Sequence, residues 1–274
     1  MNGLDLLPLK VFGFNLASFT VWFFAGAAIF WFLHYRGRSS PHPRKVIREM
    51  PSRSQILRES KYSCITLLLI ALGWLSVWTM DRLRWNQFYW DLGEYSLTWL
   101  AISIIITIVL WDAWFYWTHR LMHTRTLFPI FHRTHHLSKV TNPLTGYSLD
   151  VPEAVVYVVF LPLVTMLYPL HPVSMMIFMV IQLAGNLFIH QGHEFLPAKF
   201  AESRWSYWLS SPTSHAMHHY HFVGNYGFFF QFWDRVMGTC HPQYDDELQK
   251  QCGYRERHDK LGDSSELAPA RRRV

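Results

Sequence analysis

Three long stretches without a charged side chain constrain the fold of this sequence more than any other feature. Residues 11–33, 63–80 and 95–111 contain no Asp, Glu, Lys or Arg. At ~1.5 Å per residue, the first stretch is long enough to cross a hydrocarbon core of ~30 Å as a helix. It is too long for the apolar core of a signal peptide, and no basic segment precedes it, because Asp5 offsets Lys10. We therefore expect a retained transmembrane anchor followed by further spans.

The positive charge is concentrated in the segment 34–61, which joins the first two apolar stretches. A short basic loop between spans is typical of the cytoplasmic side of a membrane, so this charge does not indicate nucleic-acid binding. The third span is then expected to run inward from about residue 95 and to reach the cytoplasmic face near residue 117. Eight basic residues carry the signal: Arg36, Arg38, Arg44, Lys45, Arg48, Arg53, Arg58 and Lys61.

Two shorter apolar stretches follow, at residues 154–168 and 173–189, and prolines interrupt or separate them. Each is marginal for a perpendicular span, so the pair is expected to form a helical hairpin that either crosses or re-enters the membrane. Both options return the chain to the cytoplasmic side before His190. The predicted fold is all-α, with multi-pass transmembrane helices and a histidine-rich helical di-metal cap on the cytosolic face.

Three regions are predicted along the chain. Residues 1–94 hold the first transmembrane helices and the basic loop, residues 95–242 hold the catalytic domain, and residues 243–274 form a polar, mobile tail. Cys64, Cys240 and Cys252 show no paired spacing and indicate no disulfide framework.

Eleven of the sixteen histidines fall in two short segments, 119–136 and 190–221. Spacings of three and four residues place side chains on one face of a helix, ~5–6 Å apart. Three groups have such spacings, and they are His119 with His123, His132 with His135 and His136, and His215 with His218 and His219. His190 and His193 follow the fifth apolar stretch.

These groups predict a site for two metal ions. Neutral imidazole is the commonest metal-binding side chain, and eight grouped imidazoles exceed what one ion accepts. No cysteine lies within the clusters, so a thiolate site is excluded. The donors suit zinc, copper, iron or nickel, and donor type alone does not choose among them. His193 and His221 have weaker spacing, and the five histidines outside the two segments are expected to be ordinary polar residues.

The order of these motifs resembles the fatty acid hydroxylase/sterol desaturase superfamily of membrane di-iron oxygenases. The order is H-x3-H, H-x2-HH, an isolated histidine and H-x2-HH, and its context includes "WDAWFYWTHRLMH" and "NYGFFFQFWDRVMGT". The segment "FIHQGHEFLP" resembles the isolated-histidine region of the sterol methyl oxidases, although His193 stands where an aromatic residue is expected. The resemblance covers roughly residues 105–240.

The resemblance implies two iron ions, with dioxygen as co-substrate and a separate reductase as electron donor, because no haem-binding segment is recognisable. It implies hydroxylation, in preference to desaturation, of a membrane lipid such as a sterol, sphingoid base, fatty acyl lipid or carotenoid. Asp112 lies seven residues before His119 on the same helical face and is expected to orient an imidazole, as are Glu153 and Asp234. Asp150 and Glu194 are weaker candidates for that role. The implied iron ligands are His119, His123, His132, His135, His136, His190, His215, His218 and His219, with His193 as a tenth.

Such a protein is expected in a bacterial inner membrane or the endoplasmic reticulum. Two other classes stay open at this point, a histidine-rich membrane metal transporter and a zinc-dependent lipid hydrolase. A transporter needs ligands along a transmembrane pathway, and the three apolar stretches before residue 112 contain none.

Overall fold

A computed structural model describes residues 6–36, 42 and 44–261, with side chains up to residue 253. These residues form eleven α-helices, one short 3-10 turn and only isolated β-bridges, which confirms the all-α class. The helices are α1 (Leu7–Tyr35), α2 (Arg53–Arg82), α3 (Leu97–Met122), α4 (Phe128–Phe131), α5 (Arg133–His136), α6 (Val151–Leu167), α7 (Pro172–His190), α8 (Ala198–Ala201), α9 (Pro212–His221), α10 (Phe232–Val236) and α11 (Tyr244–Leu261), with the 3-10 turn at Thr145–Tyr147.

Four of these helices, α1, α2, α3 and α7, are long and apolar enough to cross a membrane. Between 17 and 44% of their most apolar windows is buried inside the protein, so large apolar side chains such as Phe14, Leu33 and Ile105 point outward. Apolar surface on this scale requires a lipid environment. Helix α6 is apolar but shorter, with 17 residues. The chain is therefore a multi-pass membrane protein, as predicted.

Helix α2 begins ten residues before the apolar stretch that predicted it, inside the basic loop. Ser52 caps the helix by accepting a hydrogen bond from the Gln55 backbone N–H at 3.1 Å. The following residues are mostly good helix formers, so the helix extends beyond the apolar part of the sequence. Gln55 and Glu59 are buried in these first turns and bond to Val140, Asn142 and Thr145, which attaches α2 to the segment after α5.

Helices α6 and α7 occupy the two shorter apolar stretches, and Pro162 lies inside α6 without ending it. The predicted packing of the pair as a hairpin is wrong, because α6 packs mainly on α2 and α7 mainly on α3 and α9. Helix α7 starts at Pro172, where the His171 ring accepts a hydrogen bond from the Val173 backbone N–H at 3.1 Å. Helix α6 packs tightly against α2, because a Cβ added at Gly73 would lie 2.3 Å from Val158 Cγ1.

The shorter helices form a cap at one end of the bundle, where α3 and α7 finish. The basic segment after α1 lies at the same end, because Val46 N–H donates to Gly192 O at 3.0 Å and Glu194 N–H donates to Arg44 O at 2.9 Å. The basic loop and the histidine segments thus share one side of the protein. Arg38, one of the loop's predicted charges, lies outside the described residues.

The region predicted as a mobile tail begins instead with an ordered helix, α11. Tyr244, Leu248 and Cys252 recur every four residues, are buried, and pack on Met217 of α9. The apolar face consists of so few residues that the polar composition of the segment conceals it. The rest of the predicted tail, residues 262–274, lies outside the described residues.

Candidate metal centre

Nine of the ten histidines predicted as ligands meet in two neighbouring groups within the cap. In each group the ligand nitrogens all lie within 4.8 Å of one another. All nine side chains are buried except His123, which is intermediate. The first group comprises His119, His123, His132, His136 and His218, and the second comprises His135, His190, His215 and His219.

The histidines of two short helices, α5 and α9, are divided between the two groups. On α9, His218 belongs to the first group while His215 and His219 belong to the second. Adjacent His135 and His136 on α5 are likewise divided between the groups. The two short helices therefore lie between the two groups and supply ligands to both.

Backbone carbonyls orient four of the imidazoles. Nδ1 lies 2.9 Å from Tyr226 O in His119, 3.2 Å from Ser148 O in His135, 2.8 Å from Asn186 O in His190 and 2.7 Å from Gly224 O in His218. A carbonyl oxygen only accepts, so each Nδ1 carries the proton. The lone pair of each ring is therefore on Nε2, the nitrogen available to a metal ion.

The Nε2 atoms of several imidazoles also lie close to one another within each group. His136 Nε2 lies 3.1 Å from His123 Nε2 and 3.0 Å from His218 Nε2. His215 Nε2 lies 2.8 Å from His190 Nε2 and 3.2 Å from His219 Nε2. In addition, Nδ1 of His136, His215 and His219 is buried without a hydrogen-bond partner, so no arrangement of protons satisfies both nitrogens of every ring. The donor set fits one metal ion in each group.

Burial keeps the imidazoles neutral. It lowers the pKa of His215, His218 and His219 well below the usual 6.5, and the neighbouring imidazoles lower it further. Since only a neutral imidazole has a lone pair to donate, these residues are in the ligating state at neutral pH.

Among the predicted carboxylates, Glu153 contacts an imidazole directly. Its Oε1 lies 2.7 Å from His132 Nδ1, and both side chains are 1% exposed. A carboxyl group beside Nδ1 leaves Nε2 of His132 for the first group, the arrangement usual for metal-bound histidines.

The sequence predicted that Asp112 and Asp234 orient an imidazole directly, but in the structure both carboxylates accept hydrogen bonds from the backbone instead. Asp112 accepts hydrogen bonds from the backbone N–H groups of Phe229 and Phe230 at 2.8 and 3.1 Å. Asp234 accepts from those of Tyr226 and Gly227 at 2.9 and 2.7 Å. The two carboxylates hold the loop that carries the Tyr226 carbonyl, so they position His119 through the backbone.

The two weaker carboxylate candidates also fix backbone rather than imidazoles. Asp150 accepts from the backbone and side chain of Thr134, at the start of α5. Glu194 accepts from the Thr213 backbone and hydroxyl at 3.1 and 2.7 Å, near the start of α9. Both carboxylates therefore hold the ends of ligand-bearing helices.

His193 and His221 lie outside both groups. The ring of His193 stacks on His34 with 4.7 Å between ring centroids and approaches His42 at 5.7 Å. His221 is exposed and stacks on His241. The direction of each ring depends on the loop that follows its helix, which residue spacing does not describe.

A narrow cavity that is partly open to the outside extends from the second group into the apolar interior. His135 and His190 line it, and so does Glu153, the partner of His132. Residue spacing carries no signal for this cavity, because its walls come from six separate segments. Most of its lining is apolar or aromatic, including Ile70, Trp111, Phe115, Leu161, Phe178 and Met179.

The chain is similar to a family of lipid-oxidising enzymes and to individual members of it. The fatty acid hydroxylase family model matches residues 104–239. Lathosterol oxidase of Rattus norvegicus is 25% identical over 231 residues, which cover 83% of this chain and 73% of that protein. A Delta(7)-sterol 5(6)-desaturase of Gibberella zeae is 28% identical over 239 residues, covering 84% and 67%.

A more distant type of relative is also similar over most of the chain. A very-long-chain aldehyde decarbonylase of Oryza sativa subsp. indica is 25% identical over 234 residues, which cover 80% of this chain and 35% of that protein. No solved structure shows significant similarity to the chain.

The matched region contains all nine clustered histidines together with Asp112, Glu153 and Asp234. The similarity to a lathosterol oxidase and a sterol desaturase confirms the prediction of an oxidoreductase. The chain belongs to the fatty acid hydroxylase/sterol desaturase superfamily.

Proposed function

We propose that this protein uses dioxygen and two iron ions to oxidise a C–H bond of a membrane lipid. The observation that carries the proposal is the apolar cavity that ends at His135 and His190. A hydrocarbon bound there would place a carbon atom next to the second histidine group. Bound iron would supply the redox chemistry that activates dioxygen, which redox-inert zinc does not provide.

The chain's own residues have distinct roles in this proposal. The nine clustered imidazoles hold the two ions, and Glu153 fixes the orientation of His132. Trp111, Phe115 and Tyr157 exclude water from the reacting carbon and limit the positions it can take.

Hydroxylation is the reaction that we favour, and the description of the matching family model supports it. Desaturation is the second candidate, because the names of the similar sterol desaturases favour it. Both reactions begin with removal of hydrogen from a substrate carbon. They differ in whether oxygen is then inserted or a second hydrogen is lost.

We propose that the metal centre faces the cytoplasm. The basic segment and the histidine segments lie at one end of the bundle, and basic loops favour the cytoplasmic side. The membrane is then a bacterial inner membrane or the endoplasmic reticulum. Electrons come from a separate reductase, and the basic loop at 34–61 is a docking surface for an acidic partner of this kind.

The proposal is tested by expressing the protein with iron supplementation, measuring metal content, and analysing membrane lipids by mass spectrometry. The expected result is about two iron ions per chain and a lipid whose mass rises by one oxygen atom, or falls by two hydrogens for desaturation. Less than one iron per chain with no oxygen-dependent product would refute it. Oxygen-independent turnover with zinc would indicate a hydrolase, and metal flux in proteoliposomes would indicate a transporter.

A further inference from the structure

An aromatic row of four oxidisable side chains leads from the first group of histidines to the protein surface, and its members are Tyr226, Tyr116, Trp233 and Trp117. The Tyr226 ring contacts three ligands of that group, with its centroid 5.6 Å from that of His119, 5.1 Å from His123 and 5.4 Å from His218. Among the described residues, Tyr226 is the only tyrosine or tryptophan in ring contact with the nine clustered imidazoles. The row therefore begins at this ring.

The other three rings continue the row outward. Tyr116 on α3 is fully buried, with its centroid 6.4 Å from that of Tyr226, and it stacks on Trp233 of α10 at 5.9 Å. The Trp117 centroid lies 5.4 Å from that of Tyr116 and 5.6 Å from that of Trp233, and 44% of Trp117 is exposed. Tyr116 is therefore the link between Tyr226 and the two tryptophans.

The first group has other aromatic neighbours besides Tyr226, but among the described residues these are phenylalanines. The Phe115 centroid lies 5.0 Å from that of His119, and the Phe128 centroid lies 5.4 Å from that of His123. A phenylalanine ring gives up an electron far less readily than a phenol or an indole. Either kind of ring would serve hydrophobic packing, so the oxidisable rings on one side define a direction in which an electron can travel.

Tyr116 also has an acceptor for the proton that a phenol releases when it loses an electron. Thr239 Oγ1 donates its single proton to Asp234 Oδ1 at 2.7 Å. In the contact between Tyr116 OH and Thr239 Oγ1, at 2.9 Å, the phenol is therefore the donor. Arg120 Nη1 donates to the phenolic oxygen at 3.2 Å, and its positive charge favours loss of the proton. A proton can thus pass from Tyr116 through Thr239 to the Asp234 carboxylate.

We propose that the aromatic row is an escape route that carries oxidising equivalents from the first group to the protein surface when no lipid is present to react. This inference rests on the proposed function, because it requires bound iron that dioxygen oxidises. Without such a route, the groups nearest to the oxidised centre are the imidazoles that hold it. The row therefore protects the ligands on which the function depends.

Electrons and protons balance along this route. One electron passes from Tyr116 across the Tyr226 ring to the oxidised centre, which is reduced by one electron. At the same time the phenolic proton moves to Thr239 and the Thr239 proton moves to Asp234. The adjacent tryptophan then returns an electron to Tyr116, both protons move back, and Trp117 is left oxidised at the surface. A soluble thiol reduces Trp117 by losing one electron and releasing one proton to water, and two such thiols pair as a disulfide.

The test follows radicals and oxidised residues rather than lipid turnover. Iron-loaded ferric protein in lipid nanodiscs is mixed with hydrogen peroxide, which replaces dioxygen and needs no reductase. Samples frozen at successive times are measured by electron paramagnetic resonance, with ring-deuterated tryptophan to identify a tryptophan radical, and peptide mass spectrometry locates the added oxygen atoms. In the wild-type protein we expect a tryptophan radical, oxygen added mainly at Trp117 and Trp233, and loss of the radical when glutathione is added.

Two variants interrupt the row at Tyr116, and a third is the control. Tyr116→Phe keeps the ring but removes the phenol, and Thr239→Val keeps the shape but removes the proton acceptor. Both are expected to abolish the tryptophan radical and to shift the added oxygen to the ligand histidines. Tyr220→Phe is expected to change neither, because this exposed tyrosine lies on the ligand-bearing helix α9 but its ring contacts His221. Iron content identifies any variant that has not folded.

The outcomes separate this inference from the proposed function. A wild-type protein without a tryptophan radical overturns the inference, as does a radical that survives in both Tyr116→Phe and Thr239→Val. Equal loss of the radical in Tyr220→Phe overturns it as well. A Tyr116-dependent radical in a protein that oxidises no lipid would overturn the proposed function and leave the inference standing. A protein that binds no iron would overturn both.

Discussion

Five imidazoles of the metal centre have a neighbour at the ring nitrogen that faces away from the ligand groups, a backbone carbonyl for four of them and Glu153 for His132. Spacings of three and four identified eight of the nine clustered histidines, because those spacings place side chains together on a helix. The partners of the opposite ring nitrogens were mostly missed. Tyr226 O, Ser148 O and Gly224 O are backbone atoms, and no residue type in the sequence identifies a carbonyl as a partner.

The contact between Glu153 and His132 gives a prediction at this scale. Glu153→Gln keeps the shape of the side chain but replaces the carboxyl group beside His132 Nδ1 with an amide. The affinity for metal is expected to fall ~10–100-fold, the usual effect of changing a partner of a ligating histidine. Chelator competition measures this affinity. An unchanged affinity would show that Glu153 does not orient the ligand.

The two-group arrangement predicts separable effects of histidine substitutions. His135→Ala removes one of the four nitrogens in the second group and is expected to reduce the iron content to about one ion per chain or less, with loss of activity. His221→Ala is the control, because this exposed residue lies outside both groups. Metal analysis of purified protein measures both. Full iron content in His135→Ala would exclude His135 as a ligand.

The lowered pKa values predict that acid destabilises the cap. His132, His136 and His215 have pKa values well below 6.5 in the folded protein, while the unfolded chain binds protons near pH 6.5. The unfolded state therefore binds more protons as pH falls below 6.5, so the stabilisation present above that pH is lost. The melting temperature of metal-free protein in detergent is expected to fall between pH 7.5 and pH 5.5. A constant or rising melting temperature would contradict this sign.

Helices and their ends were predicted best where an apolar run coincided with the helix. The predictions for α1, α3, α6 and α7 were therefore accurate in position. Helix α2 was predicted too short, because its first turns are polar and pair with buried groups from the segment after α5. Helix α11 was missed, because its packing face consists of three residues in a charged segment.

The packing of α11 predicts that the chain cannot be shortened freely at its C-terminal end. Removing residues 244–274 would expose Met217 on α9 and delete the hydrogen bond from Tyr244 OH to Ser211 Oγ, at the N-cap of α9. Loss of the buried Tyr244 and Leu248 side chains is expected to cost ~1.5–3 kcal/mol each, with lower iron occupancy. Removing residues 262–274 alone is the control and should change neither property. Thermal unfolding and metal analysis of the two truncations decide the matter.

At the scale of the whole molecule, an odd number of crossings before the first histidine segment predicted that the basic loop and the metal centre share one side. The contacts between the segments around Val46 and Gly192 agree with this prediction. The depth and content of the cavity were beyond sequence reasoning, because its walls require the relative positions of five helices.

Cysteine labelling tests the proposed orientation. Trp205 is exposed on the cap and Trp85 is exposed in the loop between α2 and α3. In a background without Cys64, Cys240 and Cys252, a membrane-impermeant maleimide applied to intact cells is expected to label Trp85→Cys but not Trp205→Cys. Permeabilisation should then allow labelling of both. The reverse pattern would place the metal centre outside the cytoplasm.

The distribution of the nine imidazoles over distant parts of the chain has a consequence for folding. Ions bound to both groups would cross-link α3, α5, α7 and α9, and the loop closed between His135 and His190 by an ion in the second group would alone enclose residues 136–189. Such links reduce the entropy of the unfolded chain, as disulfides do, and the benefit grows with loop length. The transmembrane helices can fold before these links exist, because their burial in lipid needs no metal. Metal loading would then be the last step of assembly, and a protease would cleave the metal-free protein in the cap while leaving the helices in the membrane intact.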